Sequence, residues 1–312
     1  MLSRRNVRIK VMQALYSIST ANVSDKDLII KSYRSKIASS FDLYVFVLYV
    51  FYRVAKYAIV EEENRKSKFR PTVEDLDFIG KLGENELIHS IENNKDLQNL
   101  FNHAHLNQII PLDTIRILYQ EFSKSSEEYS DYLSLGKTVN EDHREILLKL
   151  FKFTVSHENC IDIIEDNFNN WIDDQSLVIG AIKKTIKALP IDSVYINQFR
   201  PDPEATQYFG QALLENVMAT DDQLRQIINP NLQNWDADRV AIIDMLLIKM
   251  ALAEFIHFPS IPTKVTLNEY VEISKMYSTD KSRDFINGIL DRLLKKLQNQ
   301  GVIKKEGRGL ID

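Results

Sequence analysis

Arg4, Arg5 and Arg8 stand close to the start of the chain, with Lys10 just beyond them. On a helix, positions three and four apart are neighbours, so Arg4 with Arg8 and Arg5 with Arg8 present guanidinium groups on one surface. Such forks bracket phosphates through charge-assisted bidentate hydrogen bonds. Tyr16 follows on the same segment and offers a ring on which an unpaired base can stack, a contact worth about 1 to 3 kcal/mol per base. The ligand this chemistry suits is a single-stranded nucleic acid; a solvated face of a terminal helix is the alternative reading of the same basic run.

A second set lies near the other end. Phe285 offers another ring, and Asn287-Gly288 by local rules marks a turn, yet Leu290, Leu293 and Leu297 continue a helical spacing through it. Conflicts of this kind fall at functional or tightly packed sites. Two roles therefore stay open: Gly288 permits close helix approach and Asn287 makes a buried hydrogen bond, or Asn287 contacts a base. Asp244 sits among Val240, Ile243 and Leu247, where a buried carboxylate needs a partner to offset desolvation. Lys249 and Arg239 are its internal candidates, while Glu254 and Lys275 are expected to close internal polar contacts.

Other reactive types are sparse. His103 and His105 form an H-x-H with no carboxylate or cysteine at ligand spacing, so the pair reads as a surface loop and no metal is expected. Cys160 is the single cysteine, which excludes an internal disulfide, fits a reducing compartment and predicts a cytoplasmic protein; no partner marks it as a nucleophile. No catalytic residue and no cofactor motif is expected.

The elements that must position these groups are helices. With 44% hydrophobic residues and only 9 glycines and 8 prolines in 312 residues, the chain can fill a core and favours helix interiors over turn-dense sheets. The net charge of −5 gives no whole-chain basic footprint, so a nucleic-acid site has to be local. Ser3 predicts the N-cap of a first helix carrying Val7, Val11, Leu15 and Ile18 on one face. Leu28 to Val60 reads as a second, aromatic-rich helical region followed by a loop ending at Pro71; Asp42, Arg53 and Lys56 interrupt its apolar run, which predicts core rather than a membrane span.

Laying the segment around Trp171 over that around Trp235, an offset of 64, pairs Asn167, Asn170 and Asp174 with Asn231, Asn234 and Asp238. Both read as helix, short turn, helix, a duplicated or convergent pair. Asp202-Pro203 offers an N-cap followed by proline, the best candidate boundary. Beyond it, Arg239 to His257 is an amphipathic helix stopped before Pro259 and Pro262, and Thr266 with Glu269 predicts a capping box opening the next helix. A final helix carries Phe285 to Leu297.

The opening RRNVRIKVMQALYS resembles the arginine-rich first helix of the NusB family. NWDADRVAIIDMLLIKMALAEF, IPTKVTLNEYVEISKMYS and FINGILD resemble its carboxy-terminal third in order and spacing. The resemblance covers about residues 1 to 20 and 205 to 297, and Asn6 departs from a position where many members carry another arginine. It implies an all-α NusB-like bundle of two packed helical sub-bundles. Residues 1–22 would form its first helix and 201–312 its carboxy-terminal bundle, with 23–200 a helical insertion including the pseudo-repeat at 145–190. It further implies a non-enzymatic transcription antitermination factor that binds boxA-type single-stranded RNA with ribosomal protein NusE in an RNA polymerase antitermination complex, away from membranes. The RNA contacts would be Arg4, Arg5, Arg8, Lys10, Tyr16, Phe285, Asn287 and Gly288, and the NusE-facing helix would carry Asp244 and Arg239. The competing expectation is a helical protein-binding scaffold without specific RNA binding. A ribosomal RNA methyltransferase is disfavoured, because no glycine-rich cofactor loop follows.

Overall fold

The computed structural model describes residues 1–21, 25–232 and 240–310. Among them every regular element is helical. In chain order the α-helices are α1 Arg4–Ala21, α2 Lys26–Lys66, α3 Val73–Asp77, α4 Glu86–Glu92, α5 Lys95–His103, α6 Leu106–Ile109, α7 Leu112–Ser125, α8 Glu127–Ser134, α9 Asn140–Ser156, α10 Glu158–Asn167 and α11 Trp171–Ala188. A π-type segment, Glu204–Gln211, then leads into α12 Ala212–Ala219, followed by α13 Asp221–Ile228, α14 Ile242–His257, α15 Thr263–Tyr277 and α16 Asp280–Asn299. The chain divides into two compact units: one comprises Ala38–Arg200 with Met1, the other Leu2–Ile37 with Pro201–Asp312. α2 runs through the first division, its residues to Ile37 belonging with α1.

In the unit of residues 38–200, α2 is buried almost all round from Phe41 to Ala58, as a helix apolar on every side must be. It is long and apolar enough to cross a membrane, but here it is the core helix against which the unit packs. Its interrupting charges are settled locally: Arg53 donates to the Tyr49 hydroxyl at 2.7 Å and Lys56 to Glu92 at 3.0 Å. Rings interlock around it, Phe51 meeting Phe151 edge-on at 5.9 Å and Tyr49 meeting Phe101 at 4.8 Å. The helix runs on to Lys66, past the expected loop start, because Glu61–Arg65 and Glu62–Lys66 ion pairs support its last turns.

The Trp171 segment of the pseudo-repeat lies in this unit. Trp171 is buried, and Asp174 accepts from Ser40 and Asn170, each at 2.7 Å, tying α11 to α2. The second copy, around Asn234, Trp235 and Asp238, lies outside the described residues, as does Arg239. Cys160 is buried in the core, its thiol pushed up to about 12 by burial.

In the other unit, Ser3 caps α1, its hydroxyl accepting from the Asn6 amide. Val7, Val11, Met12 and Leu15 are buried, and α1 packs on α14, the π-type segment and α12. α14 is buried from Leu246 to Phe255 and stops at His257 before Pro259. Thr266 does not open the next helix. α15 starts at Thr263 directly after Pro262, and the Thr266 hydroxyl, one turn in, donates to Glu254 at 2.8 Å. A tertiary acceptor has taken the group that a local capping box would have used.

Candidate nucleic-acid interface

The first turns of α1 line a cleft of about 700 Å³ together with the Ser260–Pro262 turn, Val265 and Glu269 of α15, and Arg308. Ser3 fixes where α1 begins and so which residues look into this space. Arg4 is about half exposed and reaches Glu204 at 3.3 Å, its guanidinium 5.7 Å from the Phe209 ring. Arg5 is also exposed and makes a bidentate pair with Glu269, both contacts 2.8 Å. The hydrogen bond from Arg5 leads in holding the Glu269 carboxyl below its ordinary value; burial opposes it and the charges of Arg5 and Arg8 reinforce it.

Arg8 is different, and here the sequence expectation is corrected. Its side chain is 2% exposed, with Nε and Nη2 donating to Glu254 at 2.8 and 2.6 Å. The same carboxylate accepts from Thr266 at 2.8 Å and Tyr270 at 3.0 Å, so all four of its acceptor sites are used. Arg8 also lies 4.9 Å from the centre of the Phe209 ring. Burial opposes its charge, yet the hydrogen bonds and attraction of Glu254 more than offset this, and the guanidinium is held charged. Only Nη1, 3.7 Å from Glu269, faces the cleft side of the network. Arg8 is thus a structural cation beneath the cleft. Lys10 is buried as well, so it too is withdrawn from the surface set.

Tyr16 remains exposed at 41%, eleven residues beyond Arg5 and hence on nearly the same helix face, about 16 Å along the axis. On α16, Phe285 and Gly288 line a separate groove of about 400 Å³ with Lys281, Asp284 and Arg292. Asn287 and Gly288 are both exposed. No heavy atom beyond its chain neighbours and its own helix backbone lies within 4 Å of where a Gly288 Cβ would stand, so a close helix approach does not explain the glycine, and Asn287, being exposed, makes no buried hydrogen bond.

Asp244 is buried at 5% exposure and accepts from Ser278 at 2.5 Å and Ser282 at 2.7 Å. Of its two expected internal partners, Lys249 pairs with Asp221 instead, and Arg239 lies outside the described residues. Asp244 therefore closes the junction of α15 and α16, its carboxylate engaged by two serine hydroxyls. Lys275 pairs with Glu272 on the surface. His103 and His105 join no cluster able to hold a metal among the described residues.

Sequence reasoning missed Glu269 and Phe209 as the groups that hold the arginines. One signal was present: Glu254 is a carboxylate within the apolar run that closes α14, and a buried carboxylate demands a partner.

An all-helical unit whose first helix supports an arginine-lined cleft on a buried ion pair defines a helical-bundle protein with a local cationic site. Comparison narrows the class. Residues 180–295 match the NusB family. The transcription antitermination protein NusB of Salinibacter ruber is 40% identical over 110 residues, covering 35% of this chain and 68% of that protein. The NusB of Clostridium botulinum is 33% identical over 147 residues, covering 47% of this chain and 90% of that protein. For the NusB of Chloroherpeton thalassium the identity is 41% over 101 residues, which is 32% of this chain and 46% of the relative. No solved structure matches significantly. This chain belongs to the NusB family.

Proposed function

We propose that this protein is a cytoplasmic transcription antitermination factor that binds single-stranded boxA-type RNA through the α1 cleft, together with ribosomal protein NusE, and is not an enzyme. The observation that carries the reading is the cleft itself: Arg4 and Arg5 stand exposed at its rim, Arg4 beside the exposed Glu204 and Arg5 beside the half-buried Glu269. An exposed ion pair such as Arg4–Glu204 contributes about 0 to 1 kcal/mol, so a phosphate oxygen can exchange for Glu204 at small cost, and the exposed side of Arg5 can meet phosphate beside Glu269. Tyr16 on the same helix, and Phe285 with Asn287 and Gly288 in the α16 groove, supply stacking and base-edge contacts. On this reading residues 23–200 are a helical insertion in the family's bundle.

The test is titration of a fluorescent boxA-like RNA against the protein and an Arg4→Ala/Arg5→Ala variant, with and without NusE, at two salt concentrations. Binding that NusE enhances, that weakens with salt and that collapses in the variant supports the proposal. Equal and negligible binding by both proteins with NusE present overturns it. In that case the scaffold reading gains, favoured by Phe69, Val73 and Ile79 of the insertion, whose side chains lie in solvent.

A further inference from the structure

The residues after α16 do not trail away. The Glu306 amide donates to the Pro259 carbonyl at 3.0 Å, and Lys305 Nζ donates to the Phe258 carbonyl at 2.9 Å. A single 3-10 turn, Gly307–Leu310, follows, with the Gly309 amide donating to Glu306 at 2.9 Å. Gly309 is buried against the turn between α14 and α15: a Cβ built on it would stand 1.9 Å from the Pro259 carbonyl oxygen. Only glycine allows the tail this close. The consequence of the docking is that Arg308, exposed, enters the lining of the α1 cleft opposite Arg4 and Arg5.

Charge distinguishes Arg308 from the other cleft arginines. Arg4 is paired with Glu204, Arg5 with Glu269 and Arg8 with Glu254. Among the described residues Arg308 makes no ion pair and no hydrogen bond through its guanidinium. Among the described residues three carboxylates therefore answer three arginines and none answers the fourth, so the attraction of this cleft for an anion rests on Arg308 before any pair is exchanged. The region that matches the family ends at residue 295, short of this tail.

We infer that the docked tail of residues 302–310 is part of the nucleic-acid site and that Arg308 binds a backbone phosphate of the bound strand, with Gly309 as the residue that positions it. This deepens the proposed RNA-binding reading and rests on it. An arginine on a docked turn pays little ordering entropy when it meets the phosphate, which a free tail would have to pay in full.

The experiment measures affinity for a fluorescent single-stranded boxA-like RNA across a salt series, using the full chain and three variants: Arg308→Ala, Gly309→Ala and Arg4→Ala/Arg5→Ala. Circular dichroism verifies that each variant keeps its helices. Arg308→Ala is expected to weaken binding roughly three- to tenfold and to lower the slope of log affinity against log salt by about 0.7, the value of one phosphate contact on a single strand. Gly309→Ala, which retains Arg308 but cannot dock the tail, is expected to match it. Wild-type affinity and slope for Arg308→Ala, while Arg4→Ala/Arg5→Ala loses binding, overturns the assignment of Arg308 and leaves the cleft reading standing. An affinity loss in Arg308→Ala without a change of slope overturns it as well, since the contact would then not be to phosphate. Unchanged binding by Arg4→Ala/Arg5→Ala removes the underlying reading and this inference with it.

Discussion

Replacing Glu254 with glutamine tests the buried centre of the bundle. The change keeps the shape of the side chain but removes its charge and turns one acceptor oxygen into a donor. Four donors converge on the native carboxylate, two from Arg8 and one each from Thr266 and Tyr270. An amide can accept from half of them and points its own N–H groups at the rest. Arg8 then keeps a full charge at 2% exposure with no ionised partner nearer than Glu269 at 3.7 Å. Breaking a buried pair by removing one partner costs about 3 to 5 kcal/mol. Amide hydrogen exchange read by mass spectrometry localises the loss. Protection in α1, α14 and α15 is expected to fall by roughly two to three and a half orders of magnitude, at about 1.4 kcal/mol per tenfold. Peptides of α9 and α11 serve as the internal reference. The double variant Arg8→Met/Glu254→Leu removes both charges and is expected to cost less than the sum of the singles. Protection in Glu254→Gln within threefold of wild type, or simple additivity in the double variant, refutes the argument.

Three further outcomes are expected. Gly210→Ala places a Cβ 2.1 Å from the Tyr33 hydroxyl and 2.3 Å from Val7, so urea unfolding should show a loss of about 1 to 3 kcal/mol from overpacking. Glu269 titrates below its ordinary 4.5 in the folded protein, chiefly through the Arg5 hydrogen bond, so its contribution is complete above pH 4.5 and is lost as the pH falls through the lowered value. Denaturant midpoints of wild type and Glu269→Gln should accordingly differ at pH 6 and converge in acid, while at neutral pH the released Arg5 should tighten RNA binding roughly fivefold. Asp244→Ala should lower the urea midpoint by the equivalent of about 1 to 3 kcal/mol, because the Ser278 and Ser282 hydroxyls lose their acceptor. A pull-down should leave NusE capture unchanged in that variant once the folded fraction is accounted for.

What the sequence made legible was what local chemistry decides. Scarce glycine and proline and the spacing of Val7, Val11 and Leu15 announced helices, and Ser3 capped the first as its type predicts. The apolar run from Phe41 read correctly as core, because Asp42, Arg53 and Lys56 made it a poor membrane span. Where a partner far along the chain decides, sequence reasoning failed. Arg8 differs from Arg4 and Arg5 in nothing local, and it is the carboxylate of Glu254, 246 residues away, that draws it inside. Thr266 carried the pattern of a cap, but the same carboxylate claimed its hydroxyl. Asp244 was read between surface and interior because its true acceptor role toward Ser278 and Ser282 depends on how α15 meets α16.

The distance along the chain between Arg8 and Glu254 also sets an order of events during synthesis. A ribosome adding about 5 to 20 residues per second needs roughly 12 to 50 s to pass from one to the other. Through that interval the nascent first helix carries Val7, Val11 and Leu15 without the α14 face that covers them. The segment from Ala38 to Arg200, one unbroken stretch, is already complete. The first helix is thus sealed only after the unit of residues 38–200 has been made, and an arginine destined for a dry site spends its early life hydrated. Limited proteolysis of chains stalled just before codon 254 would find α1 open to cleavage, and chains released after the end of α15 would find it closed.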